Sequence, residues 1–246
     1  MDKLIFTSMG GAAQNLQAQA IHAHNLANID TVGFKADLQR YQSVEMTGPG
    51  FDVRTFSVDQ TASSSFETGP MITTGRNLDL AIQGEGWFAV QDATGAEAFT
   101  RAGELFVDEF GFVKTKSGHN LMGNAGPIIL PEYENLLVGS DGVISVQGLG
   151  QTPDALTEVD RIKLVNPPLD SIEKRLDGLF QRRDGALEVP AFEVRVATGV
   201  LEGSNVSAVG EMMGILEAAR QFELQVKMMK KAEEMDQASN QLLRLN

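Results

Sequence analysis

Chemistry in this chain would have to come from its histidines, a Gly-x-Gly element, a serine in a turn and a surplus of acids, and spacing decides each case. His22 and His24 stand two apart in a helical pattern, roughly 200° around the axis, so they cannot share a metal ion. The third histidine, His119, lies in a turn-rich segment. Cysteine is absent, which removes disulfides, thiolate nucleophiles and thiolate metal ligands together. No metal or other cofactor is expected. Gly84-Glu85-Gly86 is followed by Trp87 and Phe88, with no third glycine and no helix pattern behind it to offer amides to a phosphate. Ser140, in VGSDG, reads as a turn residue, and no Gly-x-Ser-x-Gly occurs. A paired-carboxylate hydrolase needs weighing because the chain has 33 acids, but most fall in turns or on polar helix faces, where solvation accounts for them. Arg76 and Asp79 are placed to pair across a turn, a structural ion pair worth about 0–1 kcal/mol if exposed. No catalytic residue is assigned.

The elements that carry these residues come from 246 positions, 42% of them hydrophobic, enough for one good core or two modest ones. The 33 acidic against 20 basic residues give a formal charge of -13, whose field repels nucleic acid and anionic membrane and points to protein partners. No apolar run approaches the roughly 20 residues of a membrane span. The opening MDKLIFTSMGGAAQNLQ lacks the pattern of a cleaved secretory signal, which taken alone reads as cytoplasmic.

Both ends are helical by pattern. Ile5, Met9, Ala12, Leu16, Gln19, Ala23 and Leu26 alternate spacings of four and three, a heptad seam within a helix expected over residues 3–28. Its knobs are small, Gln19 is polar, and Gly10, Gly11 and Ala18 keep the flanks thin. At the other end Met212, Ile215, Ala219, Phe222, Val226 and Met229 form a greasier stripe that continues less regularly through Ala232, Met235 and Leu242. Ser204 or Asn205 is expected to cap this helix, and Lys227, Lys230 and Lys231 lie beyond its middle, where cations suit the dipole. Stripes this narrow favour pairing of the two helices with each other and with copies in other molecules over a helical layer on the β region.

Between the ends the period becomes alternating. Strands are expected within 81–90, around residues 83–86, and at 98–101, 111–115, 143–146, 161–165 and 193–196, with Asp92/Gly95, Asp108/Gly111, Asp141/Gly142 and Asp184/Gly185 as hairpin turns. They predict one antiparallel domain. Residues 42–74, rich in Ser, Thr, Gly and Gln, read as an extended connector. The fold class is therefore α+β.

Four blocks then become recognisable. HNLANIDTVGFKADLQRYQ carries Asn25, Leu26, Ala27, Asn28, Thr31, Gly33, Phe34 and Lys35, and resembles the Asn-Leu-Ala-Asn and Thr-x-Gly-Phe motif of bacterial flagellar rod and hook proteins. TTGRNLDLAIQGEGWFAVQ, FTRAGELFVDEFGFVKTKSGHNLMG and LEGSNVSAVGEMMGILEAARQFELQVKMM are similar to the following blocks of that family, in the same order. His24 stands where Asn is usual, and Asp30-Thr31-Val32 replaces a more common Asn/Ser-Thr-Thr. The length and the ending KAEEMDQASNQLLRLN look most like a proximal-rod member, a distal-rod member being the alternative.

The resemblance implies a structural, non-enzymatic subunit that polymerises helically into the drive shaft and export-channel wall. Residues 1–35 and 198–246 would be helices of an inner coiled-coil layer, 36–75 a connector and 76–197 an outer β domain. Its partners would be other rod proteins, copies of itself and the flagellar type III export apparatus, with no nucleic acid and no membrane insertion. Export would proceed without cleavage, and assembly would follow in the periplasm. The two helical seams would be the subunit interface, gaining order on assembly, and Phe34, with Gly33 allowing the turn, would fix how the chain leaves the inner layer. Readings outside the family are a β-rich cell-wall hydrolase and a fibre subunit with paired helices.

Overall fold

The structure, a computed structural model, describes residues 2–45, 55–151 and 155–243, with side chains described within 5–40, 63–151 and 155–241. An N-terminal helix, a C-terminal helix and a central antiparallel β-rich region give an α+β chain. The described residues fall into two compact units, one drawn from residues 1–29, 36–65 and 206–246, the other from 30–35 and 66–205. No described helix is long and apolar enough to cross a membrane.

In the first unit, α1 (Asp2–Ala27) and α2 (Ala208–Leu243) lie side by side and antiparallel. Two close approaches give the direction: a Cβ added at Gly11 would sit 2.9 Å from Gln225 Nε2, and one at Gly214 2.7 Å from the His22 ring. A glycine within a helix costs roughly 1 kcal/mol against alanine, and here the missing side chains let the helices approach. The cap of α2 is Ser207 rather than Ser204 or Asn205. Its Oγ accepts from Gly210 N at 3.4 Å and its carbonyl from Glu211 N at 2.9 Å, while Asn205 Nδ2 is turned to Glu67 O.

The same unit holds a hairpin, β1 (Asp37–Glu45) against β2 (Thr55–Ser64), paired from Asp37↔Ser64 to Glu45↔Thr55 with a register shift between Leu38 and Arg40. Within residues 36–75, expected as an extended connector, the extended segments pair with each other. A polar stretch has no apolar periodicity to announce a strand, yet two such stretches satisfy their backbone groups on each other. Residues 46–54 lie outside the described residues.

The second unit runs through β3 (Met71–Thr73), β4 (Leu80–Gln83), β5 (Trp87–Gln91), β6 (Glu97–Thr100), β7 (Leu105–Val107), β8 (Val113–Thr115), β9 (Asn120–Leu121), β10 (Tyr133–Val138), β11 (Val143–Gly148), β12 (Leu156–Arg161), β13 (Leu164–Val165), β14 (Ile172–Lys174), β15 (Phe180–Arg182), β16 (Arg195–Thr198) and β17 (Val200–Glu202). An eight-stranded antiparallel sheet is ordered β14-β15-β6-β5-β9-β8-β7, with β13 also on β5; β10-β11-β12 form a three-stranded sheet, and β16 pairs β4 as β17 pairs β3. The unit takes in residues 30–35, expected with the first helix, and residues 198–205, expected with the last.

β5 organises this unit because its two faces enter different cores. Phe88 and Val90 pack with Leu80, Ile82, Leu121 and Ile144, while Trp87 and Ala89 pack with Phe99, Val165, Ile172 and Phe180. A strand covered on both faces reads as a continuous apolar run, as Trp87-Phe88-Ala89-Val90 does. The Gly-x-Gly before it is the turn between β4 and β5, with φ of 84° at Gly84 and 131° at Gly86.

The Asp/Gly turns work by a shared device. Asp92 Oδ1 accepts from Thr94 N, Thr94 Oγ1 and Ala96 N at 2.8, 2.7 and 2.9 Å, and Oδ2 meets Arg175 Nη1 at 2.7 Å. Asp108 Oδ1 accepts from Phe110 N and Phe112 N, its Oδ2 meeting Lys114 Nζ at 2.7 Å. The Thr94 hydroxyl, Arg175 and the turn amides hold the Asp92 carboxyl well below the usual carboxylate range, and Lys114 with the turn amides lowers Asp108. A depressed folded-state value stabilises above the unfolded-state value of about 3.9 and is lost as pH falls through the lower folded one. Melting of the full chain should therefore move to lower temperature below about pH 4. Asp92→Ala should destabilise the β unit by about 1–3 kcal/mol at pH 7 and flatten that acid dependence; an unchanged melting profile would count against the assignment.

Candidate functional site

Two polar junctions and one helical surface collect the residues singled out by spacing and motif. The first junction closes α1. Asn25, 1% exposed, treats Asp37 as a strand partner would: its Oδ1 accepts from Asp37 N at 2.8 Å and its Nδ2 donates to Asp37 O at 3.0 Å. Nδ2 also reaches Glu211 Oε1 at 3.2 Å, and Glu211 Oε2 lies 2.5 Å from His22 Nδ1. One amide thus ties the end of α1 to the start of β1 and the first turn of α2. Asn28 Nδ2 bonds the His24 carbonyl, satisfying an orphan acceptor at the helix end. His22 and His24 face different carboxylates, Glu211 and Asp37. Among the described residues no group of His, Asp or Glu could hold a metal ion.

The second junction lies in the β unit and is built on buried charge. Lys35, Arg101 and Glu202 are 1%, 5% and 0% exposed. Glu202 Oε1 receives Lys35 Nζ at 2.7 Å and Gly69 N at 3.2 Å, and its Oε2 receives Arg101 Nη1 at 2.9 Å. Lys35 Nζ also donates to Glu67 O at 2.7 Å, and Arg101 Nη2 to Gly84 O at 2.7 Å, with the guanidinium 5.4 Å from the Trp87 ring centre. Burial draws the Lys35 ammonium down from its ordinary value, and the hydrogen bond and charge of Glu202 oppose that shift.

Backbone geometry around the cluster leaves no room for side chains. Gly33 has φ of 69° and a Cβ there would lie 2.3 Å from the Arg101 carbonyl carbon, while one at Gly69 would lie 2.0 Å from Gly203 O. Gly33 N donates to Glu202 O at 2.8 Å, and Phe34 O accepts from Asn205 N at 3.3 Å. The Lys174 ammonium sits 4.0 Å over the Phe34 ring and donates to Lys35 O. Phe34 is therefore one contact in this clasp. Its neighbour Lys35, and Arg101 and Glu202 in the other blocks, are the residues that spacing did not single out. The charge pattern gave no clear signal for them, since the blocks that hold Lys35 and Arg101 also carry Asp30, Asp37, Glu104 and Asp108.

The third feature is the surface of the helix pair. α1 meets α2 at Gly11, His22 and Asn25, and helical spacing puts Ser8, Asn15 and Ala18 on the same small, polar face. Two positions round, roughly 200° away, an apolar stripe of Phe6, Met9, Ala13, Leu16, Ala20, Ala23 and Ala27 is exposed, Phe6 by 59% and Met9 by 55%. The stripe expected from sequence straddles both. Ala12 is buried and Ile5 and Leu26 half-buried at the margin of the pair, whereas Met9, Leu16 and Ala23 face outward. On α2, Ile215, Ala219, Phe222, Val226 and Met229 are half-buried, while Met212 is exposed beside Val209, Met213 and Leu216.

Comparison with known proteins meets these features. Residues 5–35 match the family model described as flagella basal body rod protein, residues 81–146 the flagellar hook protein FlgE/F/G D1 domain, and residues 197–242 the flagellar basal body rod FlgEFG protein C-terminal region. The flagellar basal-body rod protein FlgF of Salmonella typhimurium is 38% identical over 252 residues, covering 100% of both chains, and that of Escherichia coli gives the same figures. A flagellar basal-body rod protein FlgG, from Agrobacterium fabrum, is 29% identical over 96% of this chain and 97% of its own.

The chain belongs to the flagellar basal-body rod protein family. Each family-matched stretch supplies one member of the buried charge cluster: Lys35 from the first, Arg101 from the second and Glu202 from the third. Removing the shared carboxylate strands two buried cations, so Glu202→Leu should cost about 3–5 kcal/mol. Asn25→Ala, which unpairs the Asp37 backbone groups, should cost about 1–3 kcal/mol. Chemical denaturation of the purified chain checks both; losses within 0.5 kcal/mol would be those of ordinary surface positions.

Proposed function

We propose that this rod-family chain is a structural subunit of the FlgF type, placed in the proximal rod and polymerising helically with other rod proteins and with copies of itself. The observation that carries the reading is the two-faced α1, whose inner face is committed to α2 while Phe6, Met9, Leu16 and Ala23 remain exposed at heptad spacing on the other. Neighbouring subunits would cover that stripe, so that α1 and α2 pair as a coiled coil in the inner layer of a tube and complete their order on assembly. Heterologous contacts of this kind repeat along a helix instead of closing into a dimer. The full-length identity to the Salmonella and Escherichia coli FlgF proteins, 38%, exceeds the 29% to the Agrobacterium FlgG, which favours the proximal over the distal rod.

In the same reading the subunit is exported uncleaved through the flagellar type III apparatus, joins the basal body in the periplasm and catalyses no reaction. A hollow of about 470 Å³ lies between Asp108, Phe110, Glu132 and Leu149. Asp108 there is committed to Lys114 and to turn amides, not poised as a general acid.

The natural chain has no cysteine, so single cysteines report cleanly. Met9→Cys, Leu16→Cys and Met212→Cys should each give cross-linked species joining two subunits in isolated basal bodies, while Ser8→Cys on the inner face should not. Cross-linking restricted to Ser8→Cys, or absent from every outward position, would overturn the placement of the outer stripe between subunits.

A further inference from the structure

The chain passes between its two units four times, and on the β-unit side those passages lie at Asp30, Lys35, Phe66 and Asn205. The hydrogen bonds around Glu202 draw their partners from beside those passages. Lys35 sits at one, Glu67 and Gly69 follow another, and Glu202 itself precedes the last. Gly33 N on the Glu202 carbonyl and Asn205 N on the Phe34 carbonyl bind segment 30–35, which carries the first two passages, to the segment that carries the last. Asn205 Nδ2 on the Glu67 carbonyl adds the one between. Arg101, from the interior of the unit, anchors the carboxylate to the Gly84 carbonyl and the Trp87 ring.

We propose that Glu202 is a positioning residue for assembly. Its carboxylate holds Lys35 and Gly69 while its main-chain carbonyl holds Gly33, so that the segments carrying the chain passages are gathered at one buried point of the β unit and their spacing there is fixed. A hydrophobic core of two clusters already holds the β strands together without these charges. A buried ion group of this kind is commonly replaceable by apolar residues without loss of stability. What apolar side chains cannot reproduce are the directional bonds to Glu67 O, Gly69 N and Gly84 O. The clasp therefore specifies geometry beyond what stability requires. This inference rests on the subunit reading above for its assembly consequence, though not for the tying of the passages.

The test compares the full wild-type chain with the triple variant Lys35→Met/Arg101→Met/Glu202→Leu and with Glu202→Asp, which keeps the charge on a shorter arm. Three quantities are read: thermal melting, the rate of limited proteolysis at residues 30–36, 65–70 and 202–208, and incorporation into basal bodies of cells lacking their own copy. The triple variant should melt cooperatively near the wild-type temperature. It should also be cut at least tenfold faster at the passages and be incorporated at least tenfold less. Glu202→Asp should show the same pattern more weakly, and it decides the matter if the triple variant does not fold. Unchanged cleavage rates in a folded variant would overturn the tying of the passages. Incorporation that follows melting temperature alone across the set would reduce Glu202 to a stability role. If wild type itself fails to enter the basal body, the subunit reading falls, while the cleavage comparison still judges the clasp.

Discussion

One buried carboxylate serving two buried cations is the constraint from which much of this chain's arrangement follows. A charge removed from water must be matched by opposite charge and by hydrogen bonds, or the group is driven to neutrality or to the surface. Glu202 meets that condition only if Lys35, Arg101 and Gly69 are all in place, and these lie far apart in sequence. Gly33 and Gly69 are required by the same geometry, since a side chain at either would collide with backbone that brings a partner to the carboxylate. The recognisable motif blocks are thus parts of one electrostatic object.

The helical unit obeys a different rule. Its internal seam includes Gly11, His22 and Asn25, which give close approach and polar registration but little apolar burial. Most helix stability in proteins comes from burying an apolar face, and the more apolar face of α1 points away from its partner. Polar contacts such as Asn25 with Glu211 and Asp37 select one register at a cost in stability. A pair with registration inside and apolar surface outside is suited to be completed by other molecules.

Legibility in the sequence followed the kind of force at work. The first helix was readable to within a residue, 3–28 against Asp2–Ala27, because its pattern is long, whereas α2 starts at Ala208, beyond the expected cap. The strand expected around 83–86 is two strands, β4 and β5, with the turn that holds Gly84 and Gly86 between them. The Asp-to-Gly turns were readable because the side chain that makes the turn is written beside the glycine that closes it, as at Asp92 and Gly95. The hairpin of β1 and β2 was not, since its strands are polar and their reason for pairing is each other's backbone. Nor was the division of the helical stripe between two faces. Periodicity gives the angle between residues, whereas the zero of that angle is set by where Gly11 and Gly214 admit the partner helix. The charge cluster escaped for a related reason. Spacing finds partners a few residues apart, and Lys35 and Glu202 are joined only by tertiary structure.

The two polar junctions also divide the work between them. Asn25 uses a neutral amide, which can pair with backbone and carboxylate alike and leaves no charge stranded when a contact loosens. The Glu202 junction uses full charges in near-complete burial, where a single lost partner is costly and intermediate states are disfavoured. The amide junction thus lies within the helical unit and the ion cluster within the β unit, beside the positions where the chain enters and leaves it.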